Sequence, residues 1–494
     1  MTEEHAGGSV LLTPGSRLSA SHEALMSVLR AGPELRSGPG LDEVLGLLAE
    51  RRTLDLSDLP PAEQAALIAA RGAELVPSSG ELASLLAAAR AEGRRLTVKF
   101  GIDPTAADVH VGHTVPMLVA SRFQRMGHRV VFIVGDITAT IGDPSGRVSG
   151  RPPLTTEDVR ANMATYRHQI GTCFDFDRAD FRFNSEWLSA VTLPEFLAVL
   201  AKLPVAATLR REDFRSRLGA GSGLTMAELA YAVVVALDSV KVGADVELGG
   251  VDQLLNLQMG RQVMANAGLR PQVIIGVGLI EGTDGSGAKM SKSLGNYIGL
   301  AFAPRDVFGG LMSIPDRLIP QYLRALTELL DPEIELLLGL VSEGRAHPMG
   351  IKTLLAADVT GAVHGRDAAT ASRDAFAARF SRRRFSETDD VPVLRAADHG
   401  GAAVAALFAM VTGSVPSISE VRRAARGGGL RLVTETPEPR PPRSVTLSET
   451  DAAGPLSVLL TAHDQAVRQP GARVFLKCGR SLLEIVPGQP GDVR

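Results

Sequence analysis

Positions 97–105 read Thr97-Val98-Lys99-Phe100-Gly101-Ile102-Asp103-Pro104-Thr105, an apolar run that ends in a glycine and a proline. This pattern is typical of a buried strand that leaves a sheet. His110 and His113 follow, and apolar residues then recur at helical spacing between Val115 and Met126. We therefore expect the two histidines at the start of a helix, where unpaired backbone N–H groups and the positive end of the helix dipole attract phosphate.

A second segment, Lys289-Met290-Ser291-Lys292-Ser293, brings two cations close together. Residues 281–288 before it are rich in glycine and polar side chains, which predicts a mobile loop. Such a loop can close over a triphosphate, and Lys289 and Lys292 can then stabilise the charge that grows on departing pyrophosphate. The two segments together indicate one ATP site, in which no residue needs to act as a nucleophile.

Each segment also has a simpler interpretation. A His-x-x-His pair more often marks a capped helix end or a pair of metal ligands, and a loop of lysines and serines is usually solvated surface. We favour a shared nucleotide site because both segments occur in one chain, in this order, with glycine-rich loops between them.

In combination, these motifs resemble those of class I aminoacyl-tRNA synthetases, and the residues between them resemble the bacterial type of tyrosyl-tRNA synthetase. The similarity runs from about Ala65 to the C-terminus and weakens after about Ser342. It is carried by residues 100–105, Ile141-Gly142-Asp143-Pro144-Ser145-Gly146-Arg147, Asn184-Ser185-Glu186-Trp187-Leu188, Asp245-Val246-Glu247-Leu248-Gly249-Gly250, Asp252-Gln253 and residues 289–298.

The order of predicted elements indicates an α/β fold with a doubly wound parallel sheet, the Rossmann-like core that the resemblance also implies. The pattern is helical over residues 60–95, and from Leu96 strands alternate with helices: a strand at 130–135, a helix at 153–170 and a strand at 273–279. In such sheets ligands bind beyond the carboxyl ends of the strands, where the strand order reverses. Gly101-Ile102-Asp103 lies at one such end.

Composition limits the class of protein. The chain has 494 residues and a net charge of −3, so we expect two or three domains and RNA contacts only through local basic patches. Two cysteines, Cys173 and Cys478, exclude a disulfide scaffold and a cysteine-based zinc site. The sequence shows no secretory leader and no run of about eighteen apolar residues, which predicts a cytoplasmic protein without membrane spans.

We divide the chain into an N-terminal extension (1–59, with one helical stretch at 41–50), a catalytic domain (60–303), a helical domain (304–410) and a small α+β domain (411–494). The resemblance implies that the helical domain contacts the anticodon side of tRNA.

The last domain resembles an RNA-binding module shared with a small-subunit ribosomal protein, with residues 474–480 as its final strand. Arg422, Arg423 and Arg426 on a short helix suit phosphate contacts, although an ordinary solvated basic helix is the alternative. The proline-rich acidic stretch 434–454 indicates that this module is degraded.

The resemblance also implies a role for each residue on the amino-acid side. Asp143 and Tyr231 would bind an α-ammonium group, and Asp238 would accept a hydrogen bond from a phenolic hydroxyl. Such a site rejects phenylalanine, because the buried carboxylate would lose its partner. Gln253 would bind the carboxylate of the amino acid. Each of these residues has a plainer alternative: a turn former for Asp143, a core aromatic for Tyr231 and a helix surface charge for Asp238.

On the nucleotide side, the resemblance implies that His110 and His113 hold phosphate oxygens and that Asp252 binds the ribose hydroxyls, although Asp252 could also be only a helix cap. Gly250 would leave room for the sugar. The rest of the nucleotide subsite is predicted from Gly101, Asp103, Thr105 and Ser293. Mg²⁺ would arrive with ATP, and we predict no metal site built by protein side chains alone.

Several positions depart from the family pattern on the amino-acid side, including seven residues around Val235: Ala227, Leu229, Ala230, Ala232, Val233, Val234 and Leu237. Val235 stands where the family has a glutamine that helps to hold the α-ammonium group, and a lost hydrogen bond to a charged group typically costs about 1.5–3 kcal/mol. Val251 replaces a hydroxyl residue before Asp252. Lys99 occupies a position that is tyrosine in one branch of the family and basic in another.

These observations predict an aminoacyl-tRNA ligase that forms tyrosyl-adenylate from ATP and transfers tyrosine to tRNA, as a homodimer by resemblance. Because the departures cluster around the amino acid, one alternative is a paralogue that activates a tyrosine analogue for a specialised pathway. A second is a non-catalytic RNA-binding or regulatory descendant, which the intact Lys289 and Lys292 disfavour. A third is an unrelated nucleotidyltransferase of the same fold, which would not need Tyr231 and Asp238 in that order.

Overall fold

The chain folds into two compact units, Met1–Thr370 and Ala371–Arg494. The computed structural model describes residues 12–104, 109–143, 155, 157–159, 161–162, 166, 169, 171, 174–205, 212–220, 225–378, 391–411, 417–436, 442–467, 469, 471–478 and 481–487. The predicted helix at 153–170 lies largely outside the described residues, as do Thr105 and Cys173. The finer division into four domains stays a prediction.

A six-stranded sheet forms the centre of the first unit, in the order β1-β6-β5-β2-β3-β4. Its strands are β1 Gly72–Val76, β2 Thr97–Ile102, β3 Arg129–Val134, β4 Ala179–Phe183, β5 Val246–Gly250 and β6 Val273–Val277. β2 to β6 pair in parallel, which confirms the predicted doubly wound α/β core. The strand order reverses between β2 and β5, so the carboxyl ends of these two strands flank the crevice where a ligand is expected.

The edge strand β1 was not predicted, because the whole segment 60–95 has a helical pattern. β1 pairs antiparallel with β6, so the sheet is mixed at this edge. The strand begins at Gly72 and ends immediately before Pro77. Gly72 follows the helix that ends at Ala69, and Pro77 precedes the helix that begins at Ser79, so both residues interrupt the helical pattern. The helical interpretation is therefore wrong between Gly72 and Val76, where a short, half-exposed edge strand of mixed composition carries little periodic signal.

Helices cover the sheet and extend the first unit. They are α1 Arg17–Arg30, α2 Pro39–Arg52, α3 Pro61–Ala69, α4 Ser79–Ala91, α5 Val111–Arg125, α6 Thr138–Ile141, α7 Ser185–Leu188, α8 Leu193–Leu200, α9 Glu212–Gly219, α10 Met226–Val242, α11 Leu254–Asn266, α12 Pro304–Met312, α13 Ile319–Leu326, α14 Asp331–Ser342, α15 Pro348–His364 and α16 Arg366–Phe376, which crosses the boundary between the units. Single turns of 3₁₀ helix occur at Phe176–Arg178, Val251–Gln253 and Asp316–Leu318. Within the described residues, no helix is both long and apolar enough to cross a membrane.

The N-terminal extension is an integral layer of the first unit. α1 packs on α2 and α14, and α2 packs on α15. Leu25, Leu29, Leu41, Val44 and Leu48 are all completely buried in these contacts. The sequence predicted one helix here, at 41–50. The structure contains two helices. α1 is not evident from the sequence because serine and alanine dilute the helical spacing of its apolar residues.

The second unit is built on a five-stranded sheet in the order β7-β11-β10-β8-β9. Its elements are β7 Val393–Arg395, α17 Ala396–His399, α18 Val404–Val411, α19 Ile418–Arg426, β8 Leu430–Glu435, β9 Arg443–Thr446, α20 Glu449–Ala453, α21 Leu456–Ala462, α22 Asp464–Val467, β10 Arg473–Cys478 and β11 Ser481–Val486. Leu407, Phe408, Val421 and Val474 are fully buried in its core. The strand predicted at 474–480 exists as β10, but β11 follows it, so β10 is not the final strand.

Candidate active site

A cavity of about 330 Å³ opens at the carboxyl ends of β2 and β5. It joins most of the residues that the sequence singled out: Lys99, Gly101, Asp103, His110, His113, Asp143, Tyr231, Val235, Asp238, Gly250, Asp252, Gln253 and Lys289. Of the other described residues predicted for this nucleotide site, Lys292 and Ser293 lie in the loop that continues from Lys289. The histidine segment and the lysine segment therefore meet at one cavity.

The two histidines cap the N-terminus of α5. The Nδ1 atom of His110 accepts a hydrogen bond from the backbone N–H of Gly112 at 3.2 Å, and the Nδ1 atom of His113 accepts one from the backbone N–H of His110 at 3.2 Å. A neutral imidazole that accepts at Nδ1 carries its hydrogen on Nε2. The capping interpretation and the phosphate-site interpretation are thus compatible, because each ring has one N–H group left for a ligand.

Burial keeps these imidazoles neutral. It lowers the pKa of His110 to about 2, with help from the charges of His113, Lys292 and Lys289. Burial and the charge of Lys292 lower the pKa of His113 to about 4. The rings lie 3.8 Å apart between centroids. Gly112 is needed between them, because a Cβ atom there would lie 2.9 Å from the Nδ1 atom of His110.

The lysine loop is anchored at both ends. Met290 is buried, and its backbone N–H donates to the carbonyl of Ile280 at 2.8 Å. At the far end, the N–H of Val111 donates to the carbonyl of Ile298 at 3.0 Å, and the N–H of Leu300 donates to the carbonyl of Val109 at 2.8 Å. The backbone that follows the lysines is therefore bonded directly to the backbone around the histidines.

Within this loop, Asn296 has an organising role that sequence reasoning missed. Its side chain is buried, and its Oδ1 atom accepts a hydrogen bond from the N–H of Ser291 at 2.8 Å. The Nζ atom of Lys289 contacts an Oδ2 atom of Asp252 at 3.1 Å, so the loop also reaches the predicted ribose side of the cavity. The hydroxyls of Ser291 and Ser293 lie 2.7 Å apart. Asn296 belongs to the quoted motif of residues 289–298, and its place in that motif is the one feature of the sequence that indicates a role for it.

Asp238 is a buried group rather than a helix surface charge. It is 4% exposed, and its carboxylate accepts hydrogen bonds from the indole Nε1 of Trp187 at 2.8 Å and from the amide Nδ2 of Asn184 at 3.4 Å. Burial raises the pKa of Asp238 to about 6, although Lys99 and the two donors oppose the rise. Trp187 and Asn184 belong to the motif at residues 184–188, but the motif alone does not reveal that they support Asp238.

Asp103 lies against Tyr231 at the start of the crevice. Its carboxylate accepts hydrogen bonds from the hydroxyl of Tyr231 at 2.8 Å and from the hydroxyl of Thr138 at 2.6 Å. Burial raises the pKa of Asp103 to about 7. The residue was predicted on the nucleotide side, and its observed partners place its carboxylate beside the group predicted to bind the α-ammonium. Tyr231 is buried and also lines the cavity.

Lys99 is engaged beneath the cavity. Its ammonium group contacts the carboxylate of Glu247 at 2.6 Å, the hydroxyl of Ser239 at 2.9 Å and the backbone carbonyl of Val235 at 3.2 Å. The side chains of Lys99 and Glu247 are 1% and 2% exposed. Lys99 therefore fixes the backbone of α10 at Val235 and neutralises the buried carboxylate of Glu247. Through its contact with Val235, Lys99 borders the part of the cavity predicted to bind the amino acid.

A chain of polar groups crosses the cavity on the other side. The amide Nε2 of Gln253 donates to Asp143 at 2.8 Å, and the amide Nδ2 of Asn256 donates to the Oε1 atom of Gln253 at 2.8 Å. At Gly250, a Cβ atom would lie 2.5 Å from the Oδ1 atom of Asp252, so only glycine fits at the strand end. The predicted binders of ammonium, carboxylate and ribose thus form one continuous wall.

The described residues contain no cluster of three or more histidine, cysteine or acidic side chains with the geometry of a metal site. In the second unit, Arg422, Arg423 and Arg426 are exposed on α19, as the basic-helix pattern predicted. Arg426 pairs with Glu449 at 3.2 Å. Arg422 and Arg423 present their charges to solvent.

Comparisons with known proteins agree on one family. The family model for class I tRNA synthetases of the tryptophan and tyrosine type matches residues 91–381. The chain is 40% identical over 362 residues to the tyrosine–tRNA ligase of Nitratidesulfovibrio vulgaris, which covers 73% of this chain and 89% of the relative. It is 39% identical over 374 residues to the tyrosine–tRNA ligase of Aquifex aeolicus, covering 76% and 92% of the two chains.

The fold is also shared with solved structures. A C-terminally truncated mitochondrial tyrosyl-tRNA synthetase from Aspergillus nidulans superimposes with a TM-score of 0.52 at 22% identity, covering 72% of this chain and 99% of that chain. A comparable synthetase from Coccidioides posadasii gives the same TM-score and identity, covering 68% and 99%. At this level of identity, the likeness is one of fold.

Proposed function

The chain belongs to the tyrosyl-tRNA synthetase family of class I aminoacyl-tRNA synthetases, and from this premise we propose that it activates tyrosine with ATP and transfers the tyrosyl group to tRNA. One observation carries the proposal: the buried carboxylate of Asp238 and the capped pair His110 and His113 line the same cavity as Lys289. This arrangement provides a place for a phenol, a triphosphate and a cationic loop at once. The analogue-activating and non-catalytic alternatives have no observation in their favour.

The proposed reaction is an in-line attack of the tyrosine carboxylate on the α-phosphorus of ATP. A bond forms between carboxylate oxygen and phosphorus, and the bond to the departing pyrophosphate breaks. The Nε2–H groups of His110 and His113 donate to phosphate oxygens, while Lys289 and Lys292 stabilise the charge on pyrophosphate. Because these groups are neutral or cationic and already oriented, catalysis consists of positioning and charge stabilisation. The ribose of tRNA then attacks the mixed anhydride and releases AMP.

Mg²⁺ is the metal proposed to accompany ATP. This ion is usually held by phosphate oxygens and water with one or two carboxylates, and Asp252 is a cavity-lining carboxylate in contact with Lys289. Bound there, the ion would screen the charge of the triphosphate. The protein's own cations remain responsible for the pyrophosphate end of the site.

Selection of tyrosine rests on Asp238. Trp187 and Asn184 hold its carboxylate in one orientation, so its remaining lone pairs point to a fixed place in the cavity. A phenolic hydroxyl satisfies this buried group, whereas phenylalanine leaves it without a partner, and leaving a buried polar group unsatisfied costs about 1–3 kcal/mol or more. The α-ammonium group is assigned to Asp143 and Tyr231, without the amide that Val235 replaces.

We also propose a homodimer that works in the cytoplasm. α8 supports the dimer: none of its residues is buried, and Leu193 and Leu197, which are 69% and 52% exposed, occupy one face of the helix. An exposed apolar helix face of this kind marks an interaction surface. The cytoplasm follows from tRNA as the proposed substrate. Contact of Arg422 and Arg423 with tRNA phosphates is part of the same proposal.

The test is tyrosine-dependent ATP–pyrophosphate exchange, followed by charging of tRNA. We expect exchange by the wild-type chain, a loss of about 100-fold or more in Lys292→Ala, and little change in Lys241→Ala, which removes an exposed lysine at the end of α10. Phenylalanine should support much slower exchange than tyrosine. A folded wild-type protein that shows no exchange with tyrosine would overturn the proposal.

A further inference from the structure

A second cavity, of about 420 Å³, lies on the other side of the segment that follows β6. It is bounded by the turn between α3 and β1, by α5 and by α13. Four arginines contribute to its lining, Arg71, Arg122, Arg317 and Arg324, and among the described lining residues there is no carboxylate. We call this space the arginine cavity. Nothing in the proposed synthetase reaction uses it.

Two of these arginines are buried in the wall. The side chains of Arg71 and Arg122 are 7% and 2% exposed. Arg71 donates to the carbonyl of Leu329, and Arg122 donates to the carbonyl of Leu67 at 2.9 Å. The Nε–H groups of both arginines are buried without a hydrogen-bond partner among the described residues. A buried polar group without a partner calls for an explanation, such as a ligand or ion that is bound in the functional state.

The positive charges in this wall repel one another. Burial, together with the charge of Arg122, lowers the pKa of Arg71 to about 10. Glu328 lies close by, where Arg122 contacts its carboxylate at 3.2 Å and Arg125 at 3.1 Å. A second carboxylate, Asp331, lies 3.5 Å from Arg71 and 3.1 Å from Arg324. Glu328 and Asp331 are thus each shared between two guanidinium groups, so the region holds a surplus of positive charge. An anion in the cavity would reduce this repulsion.

The other two arginines stand at the open side. The side chain of Arg324 is 46% exposed and contacts Asp331 at 3.1 Å. The side chain of Arg317 is 54% exposed and pairs with Glu281. Both guanidinium groups are accessible, and planar guanidinium groups bind phosphate with two parallel hydrogen bonds.

Much of the rest of the wall is apolar, and Gln321 and Thr327 add polar groups to it. Val115, Leu118 and Val119, all from α5, contribute to the lining. A cavity of several hundred Å³ with an apolar wall and a few convergent polar groups is typical of sites for small organic ligands. A bare inorganic anion would leave this apolar wall uncovered.

From these features, we propose that the arginine cavity binds a small organic phosphate of about mononucleotide size, with its phosphate on Arg317 and Arg324 and its organic part against α5. This site is separate from the ATP site, although Leu279 and Ile280 line both cavities. The ligand is defined by its chemistry, a phosphate group attached to a body that covers apolar surface. Its binding does not require the synthetase reaction.

The experiment is calorimetric titration of the full chain with GMP and, separately, with inorganic phosphate. GMP is used because it has the proposed chemistry without being the nucleotide substrate. We expect GMP to bind the wild-type chain more tightly than inorganic phosphate does. Arg324→Gln should weaken GMP binding about tenfold, the effect of one charge-assisted hydrogen bond, and Arg324→Lys should weaken it less.

Two control variants locate the site. Arg345→Gln removes a similarly exposed arginine that pairs with Glu343 outside the cavity, and GMP affinity should be unchanged. Lys289→Ala alters the ATP site, and GMP affinity should again be unchanged.

Absence of GMP binding to the wild-type chain would overturn the proposal. So would loss of GMP binding in Lys289→Ala with full binding in Arg324→Gln, because GMP would then occupy the ATP site. If Arg324→Gln lowers affinity for tRNA and leaves GMP affinity unchanged, the arginines serve RNA and the proposal is likewise overturned.

Discussion

Arg51 and Glu333 form a bidentate ion pair, with nitrogen–oxygen distances of 2.7 and 2.9 Å and both side chains almost completely buried. Arg51 belongs to the N-terminal extension and Glu333 to α14, so the pair joins the extension to the helical part of the first unit. The Nδ1 atom of His22 lies 2.8 Å from the same carboxylate. The carbonyl of Arg51 in turn accepts a hydrogen bond from Arg125 at 2.6 Å. The extension is therefore bonded to both the helical segment and the nucleotide-side helix α5.

Arg51→Met should destabilise the first unit by about 3–5 kcal/mol, because the substitution leaves the charge of Glu333 buried without its partner. Denaturation followed by tryptophan fluorescence measures this directly, since the chain has one tryptophan, Trp187, and it lies in the first unit. Arg17→Met is the control. It breaks an exposed pair with Asp55 in the same extension and should cost about 1 kcal/mol or less. Equal effects of the two substitutions would contradict the structural role of the buried pair.

The rate of tyrosine activation should fall as the pH drops through about 7 to 6. Burial raises the pKa of Asp103 to about 7 and that of Asp238 to about 6. Below these values the carboxyls are protonated, and they no longer accept hydrogen bonds as carboxylates. His110 and His113 have pKa values of about 2 and 4, so they stay neutral throughout this range. The measurement is kcat/KM for tyrosine between pH 5 and pH 8, a range of about three units around neutral. A rate that stays flat down to pH 5 would show that neither carboxylate acts in its ionised form.

Val235→Gln should tighten tyrosine binding. Val235 lines the cavity at the place where the resemblance expects an amide, and restoring one hydrogen bond to the α-ammonium group is worth about 1.5–3 kcal/mol. We expect KM for tyrosine to fall about tenfold or more, with a smaller change in KM for ATP. Val234→Gln, the same change one position earlier on α10, should have no such effect. If both variants leave KM unchanged, the α-ammonium group does not lie near Val235.

Replacing Arg422 and Arg423 together by glutamine should weaken tRNA binding. The slope of log affinity against log salt concentration should become shallower by the equivalent of about two phosphate contacts, while tyrosine-dependent exchange stays unchanged. The expectation follows from their exposure on α19, which belongs to the second unit, whereas the predicted catalytic residues belong to the first. Titrations of tRNA at several salt concentrations provide both the affinity and the slope. Arg30 and Arg345 are exposed arginines of the first unit, and the matched double variant should bind tRNA normally. An unchanged slope in Arg422→Gln/Arg423→Gln would mean that α19 does not contact tRNA phosphates.

Sequence patterns were sufficient for β2, β3 and β6, which are mostly apolar runs that end near glycine or polar turns, whereas β4 and β5 were not predicted as strands. Sequence patterns were also insufficient for β1, whose Gly-Ala-Glu-Leu-Val composition is neutral between helix and strand and whose identity depends on pairing with β6. The first helix of the extension, α1, was not predicted for a similar reason, since its buried leucines are separated by small and polar residues.

In the candidate site, the residues named by motif converge on one cavity, but the partners of each residue depend on tertiary packing. Trp187 and Asn184 lie about fifty positions before Asp238 in the sequence, and only folding brings them to its carboxylate. Lys99 was predicted by its position in the motif, but its contacts with Glu247 and Ser239 depend on the pairing of β5 with β2 and on the packing of α10 against β2. Motifs locate the site, and contacts between residues far apart in the sequence determine the orientation and the hydrogen-bond partners of each group.

The two anchors of the lysine loop limit how the loop can travel. Before the lysines, the carbonyl of Glu281 is bonded to the hydroxyl of Tyr322 at 2.6 Å, and after them Ile298 is bonded to the start of α5. Met290 is held between these two points, so movement is limited to the stretches on either side of it, where Gly285, Gly287 and Gly295 have positive φ, a conformation that glycine adopts without strain. Alanine at any of the three positions would be strained at positive φ and would therefore disturb the backbone that holds Lys289 and Lys292, so we expect slower activation although both cations are still present.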